Sequence, residues 1–253
     1  QALAAGILLI YGIQILWLPI NGVITLPPSI GQLVTVLIVL VTINAVNFID
    51  GLDGLAAGIV AIAGAAFFTF AYLLAVVWGF SRAGAPSLMT AVLIGICLGF
   101  LPHNSHPARI FMGDSGSMFL GLLLASAAIT LTGQVDPNAI SAVEAGPTLL
   151  PLLLPFAVLA IPLADLVLAI SRRLRAGRSP FAPDKDHLHH RLLSAGNSHV
   201  RTAVIMYLWT ATLAFPITIS AFAPMWVALL IAAVLATITI VATRTGKKDS
   251  VYV

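Results

Sequence analysis

The sequence has 253 residues, of which 60% are hydrophobic and only 8% charged, with a net charge of +3 and a mean hydropathy of +1.06. A soluble domain carries about 25% charged residues, so a soluble core is excluded and the chain reads as an integral membrane protein built from apolar spans of about 20 residues. The single cysteine, Cys97, excludes an internal disulfide and a cysteine-based zinc site, and inside an apolar run it reads as a small buried side chain.

Eight apolar segments follow one another at residues 2–20, 30–49, 55–80, 87–101, 117–131, 147–170, 202–222 and 224–243. The expected fold is an all-α, polytopic helical bundle of about eight transmembrane helices, a single membrane domain over residues 1–253. Segment 87–101 is short for a full crossing. Segment 2–20 has neither a basic leader nor a small-residue cleavage site, so it does not read as a signal peptide.

Charge sets the orientation. With a cytoplasmic N-terminus, the loops at about 44–54, 102–116 and 171–201 and the tail all face the cytoplasm. They hold every Lys and Arg except Arg82, which is eleven of the twelve, as the positive-inside rule requires. The basic tail at Lys247 and Lys248 suits anionic lipid, and no nucleic-acid partner is needed to explain the charge.

Polar residues collect in three clusters on that face. The first is NAVNFIDGLDGLAAG from Asn44, where Asn44, Asn47, Asp50 and Asp53 recur every third residue along one side of a helix or its extension. Gly51 and Gly54 allow a sharp turn and close approach of a ligand. Two carboxylates and two amides are hard oxygen donors suited to Mg²⁺ or Mn²⁺. Capping and a turn are the plain alternative. An EF-hand is excluded, since its twelve-residue loop and terminal Glu are missing.

The second cluster, from Pro102 to Ser117, includes NSHPARIFMGDSGS from Asn104. Gly113, Asp114, Ser115 and Gly116 open the fifth segment, and a helix N-terminus there offers free N–H groups to a phosphate. Asp114 would repel an anion unless a cation bridges them, which points to a metal ion; a helix-capping role for Asp114, Ser115 and Ser117 is the competing reading.

The third cluster, PDKDHLHHRL from Pro183, lies in the longest polar loop. His187, His189, His190 and Arg191 can grip a pyrophosphate and a sugar by charge-assisted hydrogen bonds. Zinc is a rival at the i, i+3 pair His187 and His190, but no HExxH pattern or cysteine partner exists; a solvated basic loop is the other alternative. Asp165, inside the sixth segment, is an expensive place for a charge. A pairing with Arg172 or Arg173 and a role in the site are equally open.

Together the three segments resemble the polyprenyl-phosphate N-acetylhexosamine-1-phosphate transferases, a membrane family of bacterial cell-wall and surface-glycan assembly, over essentially the whole chain. The HxHHR form of the third segment is similar to the branch that uses UDP-GlcNAc, and less similar to the UDP-MurNAc-pentapeptide branch. The resemblance implies transfer of GlcNAc-1-phosphate from UDP-GlcNAc to a polyprenyl phosphate with release of UMP, at the cytoplasmic face of the inner membrane. It implies Mg²⁺ (or Mn²⁺) on Asp114 with Asn47 as a second oxygen ligand. It implies catalytic roles for Asp50, Asp53, Asp114, His187 and His190, and substrate binding by Asn44, Asn104, Gly113, Ser115, His189 and Arg191. A homodimer is left open. The family also has an Asp-Asp pair on an earlier cytoplasmic loop, which this sequence lacks. The chain is therefore expected to be an N-terminally truncated piece of a protein of about eleven spans, and its activity without that loop is left open.

Two other classes are weighed. A transporter would place paired ionisable residues near span centres, whereas here the polar groups sit at one face. A CDP-alcohol phosphatidyltransferase would have an Arg after its DGxxA element, and DGLDGLAAG has none.

Overall fold

The computed structural model describes residues 1–18, 24–77, 79, 83–134, 157, 160–177, 179 and 188–245. In chain order they form α1 (Ala2–Ile10), β1 (Trp17–Leu18), β2 (Ile24–Thr25), α2 (Pro28–Ile49), α3 (Leu55–Val77), α4 (Gly84–Asn104) and α5 (Gly113–Gln134). There follow α6 (Ala160–Arg175), α7 (Leu188–Ser194), α8 (His199–Ser220) and α9 (Met225–Thr245). Six helices, α2 to α5 with α8 and α9, are long and apolar enough to cross a membrane. In hydrocarbon the backbone must satisfy its own hydrogen bonds, so these continuous apolar runs become helices.

Six of the eight expected segments therefore form spans among the described residues. Residues 2–20 do not form one continuous helix. The helix stops at Ile10, Gly12 takes a left-handed φ of 73°, and the chain then extends into a two-residue antiparallel ladder pairing Trp17 with Thr25. A nine-residue helix rises only ~14 Å, about half the hydrocarbon thickness. Half of the sixth segment, 147–170, falls outside the described residues, and from Ala160 on it forms the start of the amphipathic α6. The fourth segment is longer than expected, running through Pro102 to Asn104.

The bundle is centred on α3, rich in Ala and Gly, which packs on α4 and α8; α2 packs on α5, and α8 on α9. Without a hydrophobic driving force between helices in lipid, close approach over small residues supplies the van der Waals contact. Gly121 on α5 shows this: a Cβ there would lie 2.8 Å from Ile43 Cα on α2. Among the described residues three apolar clusters result. The largest surrounds Phe67, Phe70, Leu74, Leu93 and Leu124, and a second joins α1, α2 and α5 around Ala5, Val39, Ile43 and Ile129. The third, Ile49, Leu52, Leu55, Ile59, Ala203 and Met206, lies under the loop that leaves α2 and ties it to α7 and α8. The C-terminus of α2, the N-termini of α3, α5 and α8, and the C-terminus of α4 all meet at this end.

The described basic residues follow the same polarity. Arg109 follows α4, Arg191 lies on α7, and Arg201 in the first turn of α8 donates to Ala242 O near the end of α9 at 3.1 Å. Arg172, Arg173 and Arg175 form the last turn of α6. Arg82, Arg178, Lys185, Lys247 and Lys248 lie outside the described residues.

Candidate active site

The site grows from the end of α2. Asn47 lies in the last turn of that helix, and its Nδ2 donates to Asp114 Oδ1 at 3.2 Å and to Ser117 Oγ at 2.9 Å, both near the start of α5. Ser117 is fully buried, and its hydroxyl also returns to Gly113 O at 3.1 Å. This fixes the first turn of α5 against the last turn of α2, two of the three sequence clusters.

Asp50 follows α2 directly, and its carboxyl is pushed up to about 6, first by burial and second by the charge of Asp114. A carboxyl raised by a neighbouring carboxylate is stabilised in its charged form by a cation between the two. The sign of the pH dependence follows. Between about 4 and about 6 the folded state holds a proton on Asp50 that the unfolded state has lost, so stability falls as pH rises through that window. Metal-free protein in detergent should melt at a lower temperature at pH 7 than at pH 4.5 on this account. Asp50→Asn should reduce that difference; an unaltered profile would remove Asp50 as its source.

Asp53 has the opposite environment. Its Oδ2 bonds His106 Nδ1 at 2.8 Å and accepts from Ala108 N–H at 3.1 Å. The His106 hydrogen bond, aided by Ala108, outweighs burial and holds the carboxyl below its ordinary value. Its stabilising contribution is present above the usual carboxylate range and is lost as pH falls through the lowered value. His106 in turn stacks on His199, at the start of α8, with ring centroids 4.7 Å apart.

Asn104 is buried and both its amide groups are used: Oδ1 accepts from Gly54 N–H and Nδ2 donates to Ile110 O, each at 3.0 Å. It ties the acidic loop to the loop before α5. Asp50, Gly51, Leu52, Asp53, Asn104, Phe111, Met112, Gly113 and Asp114 together line an open cleft of about 270 Å³.

The third cluster docks beneath this cleft. His189, on α7, is buried with its ring against Gly51: a Cβ on Gly51 would lie 2.5 Å from His189 Nε2. His190 packs on His189 at 4.4 Å and is exposed, as is Arg191. Buried Asp165 on α6 accepts from Leu188 N–H at 2.8 Å, which anchors the start of α7.

Asp50, Asp53, Asn104, Gly113 and Asp114 thus share one cleft, with Asn47 bonded to it and His189 packed beneath. Asn44 does not join them; its Nδ2 donates to Gln1 Oε1 at 2.8 Å and Leu40 O at 2.7 Å. Ser115 is exposed on the first turn of α5, outside the cleft lining. His187 lies outside the described residues. Ser117, His106, His199 and Tyr207 are additional participants. The first two sit in the second cluster, and a signal for them existed in its polar spacing; the last two lie on a helix without a motif.

Among the described residues no three His, Cys, Asp or Glu side chains converge as a closed metal cage. The oxygen set of Asp114, Asp50 and Asn47 is open, and suits a hard ion that keeps water and completes its shell with substrate phosphate.

The family model described as glycosyl transferase family 4 matches residues 1–132, just over half of the chain, and covers the first two clusters. The decaprenyl-phosphate N-acetylglucosaminephosphotransferase of Mycobacterium tuberculosis (strain ATCC 25618 / H37Rv) is 45% identical over 220 residues, 85% of this chain and 54% of that protein. The protein of the same name from Mycobacterium leprae (strain TN) is 43% identical over 85% of this chain and 55% of its own length. The undecaprenyl-phosphate alpha-N-acetylglucosaminyl 1-phosphate transferase of Escherichia coli (strain K12) is 36% identical over 126 residues, 49% of this chain and 31% of that protein. The chain spans about half the length of the mycobacterial relatives it matches.

Proposed function

The chain belongs to glycosyl transferase family 4, and from that premise we propose that it transfers GlcNAc-1-phosphate from UDP-GlcNAc to a polyprenyl phosphate, releasing UMP. The site faces the cytoplasm of a bacterial inner membrane in this reading. The supporting observation is the convergence of Asp50, Asp53, Asn104 and Asp114 in one cleft, with Asn47 bonded to Asp114, at the polar end of an apolar bundle. A water-soluble nucleotide sugar reaches that end from the aqueous side, and a lipid phosphate reaches it along the bundle.

In the reaction an oxygen of the lipid phosphate attacks the phosphorus bonded to the sugar. The bond from that phosphorus to the bridging oxygen breaks, and UMP leaves with the oxygen. Both reactants are anions, so the site must supply positive charge. Asp114 and Asp50, with Asn47 as a neutral donor, would hold Mg²⁺ or Mn²⁺, which when bound neutralises phosphate charge. Asn47 fixes the Asp114 carboxylate through Nδ2. Asn104 and the His106–Asp53 bond hold the shape of the acidic loop. Arg191 and His190, exposed on α7 beside it, contribute cationic and hydrogen-bonding groups for the diphosphate.

The test is UMP release by the intact protein in detergent, with Mg²⁺, UDP-GlcNAc and decaprenyl phosphate. Release dependent on both substrates, with formation of a GlcNAc-diphospho-lipid, is expected. Release only with UDP-MurNAc-pentapeptide, or none with any UDP-sugar, would overturn the assignment.

A further inference from the structure

We propose that Tyr207, on the motif-free helix α8, is a positioning residue that sets the acidic loop for the reaction proposed above, on which this inference rests. The loop carrying Asp50 and Asp53 turns into α3 at Gly54, whose φ of 74° is the left-handed conformation that glycine adopts without strain. Both polar groups of that one residue are held from different elements. Its N–H goes to Asn104 Oδ1 at 3.0 Å, and its carbonyl accepts the Tyr207 hydroxyl. Gly54 is therefore clamped between α4 and α8, and Asp53 is the adjacent residue.

The seat of Tyr207 is shaped for this bond. Gly58, one turn further along α3, lies so close to the tyrosine ring that an added Cβ would overlap Tyr207 Cζ, Cε1 and the hydroxyl. Any larger residue at position 58 displaces the hydroxyl from Gly54. Met206 and Ala203, on the same helix, pack with Leu52, Leu55 and Ile59 under the loop. Two turns before Tyr207, His199 stacks on His106, the partner of Asp53. One helix thus reaches the Asp53–Gly54 pair by two routes, one through a backbone carbonyl and one through an imidazole.

Packing alone does not need the hydroxyl. Phenylalanine would fill the same space against Gly58, so Tyr207→Phe separates filling from positioning. In the intact protein, kcat for UMP release should fall about tenfold in Tyr207→Phe, with KM for UDP-GlcNAc within twofold and the melting temperature close to wild type. Gly58→Ala should give the same kinetic signature, and the double variant should be no worse than the more impaired single, because both changes remove one bond. Amide hydrogen exchange of the peptide covering residues 50–55 should rise in Tyr207→Phe relative to the rest of α3.

Unchanged kcat in Tyr207→Phe, or a fall matched by an equal fall in melting temperature, would overturn the positioning role. Unchanged exchange over 50–55 would overturn the clamp itself. Should wild-type protein release no UMP, the proposed reaction falls, and the exchange measurement still decides whether the clamp exists. Failure of Gly58→Ala to fold leaves Tyr207→Phe to decide.

Discussion

Asp114→Asn should lower turnover roughly thousandfold, about 4 kcal/mol of transition-state stabilisation, while leaving the protein folded. The carboxylate stands at the start of α5, faces Asp50, and is held by Asn47. Asparagine preserves the size and one oxygen, so the change isolates the charge. Where a divalent ion is held by few protein oxygens, removing one of two anionic ligands weakens it strongly. The companion measurement needs no turnover: Mg²⁺ should raise the melting temperature of wild type through linkage and raise that of Asp114→Asn far less. Equal Mg²⁺ stabilisation of the two proteins, or near-normal UMP release by the variant, would remove Asp114 from the metal role.

The second large effect is expected at Gly51. Its Cα sits against the ring of buried His189, and an added methyl would meet Nε2 at 2.5 Å. Such a contact forces either the acidic loop or α7 to move, and overpacking of this kind costs about 1–3 kcal/mol. The functional cost is expected to exceed the stability cost, since a displacement of ~1 Å at a reacting centre can lower rates about a hundredfold. Gly51→Ala should therefore lose about two decades in kcat. His189→Ala in the Gly51→Ala background opens the space again and should restore the wild-type exchange pattern of residues 50–55. An alanine variant with unchanged kcat would mean that α7 and the acidic loop are not mechanically coupled.

The parts of this architecture that were legible in the sequence are those fixed by solvent. Six apolar runs became spans because hydrocarbon leaves their polar backbone no partner but itself. The convergence of the three polar clusters at one end follows from the same logic, since polar groups in a bundle of this kind collect where water is. What sequence spacing could not supply was the turn of each side chain. Three-residue spacing drifts by ~60° per step in a helix of 3.6 residues per turn, so Asn44 points toward Gln1 while Asn47 points toward Asp114. Helix α2 also ends at Ile49, so Asp53 occupies a turn and meets His106 there.

Two other features were set by tertiary contacts. The fourth apolar segment ends at residue 101, yet α4 continues through Pro102 to Asn104, since proline's fixed φ is compatible with helix and Asn104 is bonded to Gly54 and Ile110 beyond. The contribution of α8 is carried by Tyr207, in an apolar run, and His199, at the edge of the polar loop before it, whose meaning appears only when their neighbours Gly58 and His106 are known. Asp165, which the sequence left between two explanations, accepts the Leu188 N–H at the head of α7.

The outermost helix, α9, shows what little the lipid asks of a sequence. Only 11% of its most apolar window is buried inside the protein, and Trp226, Leu229, Leu230, Val234 and Ile238 stand exposed. Hydrocarbon around those positions requires only an apolar side chain. Thr239 is different: it is fully buried and shares a hydrogen bond with Thr212 on α8 at 2.9 Å. Along a single helix, then, an outer stripe that asks only for hydrocarbon coexists with an inner one that asks for shape and polarity.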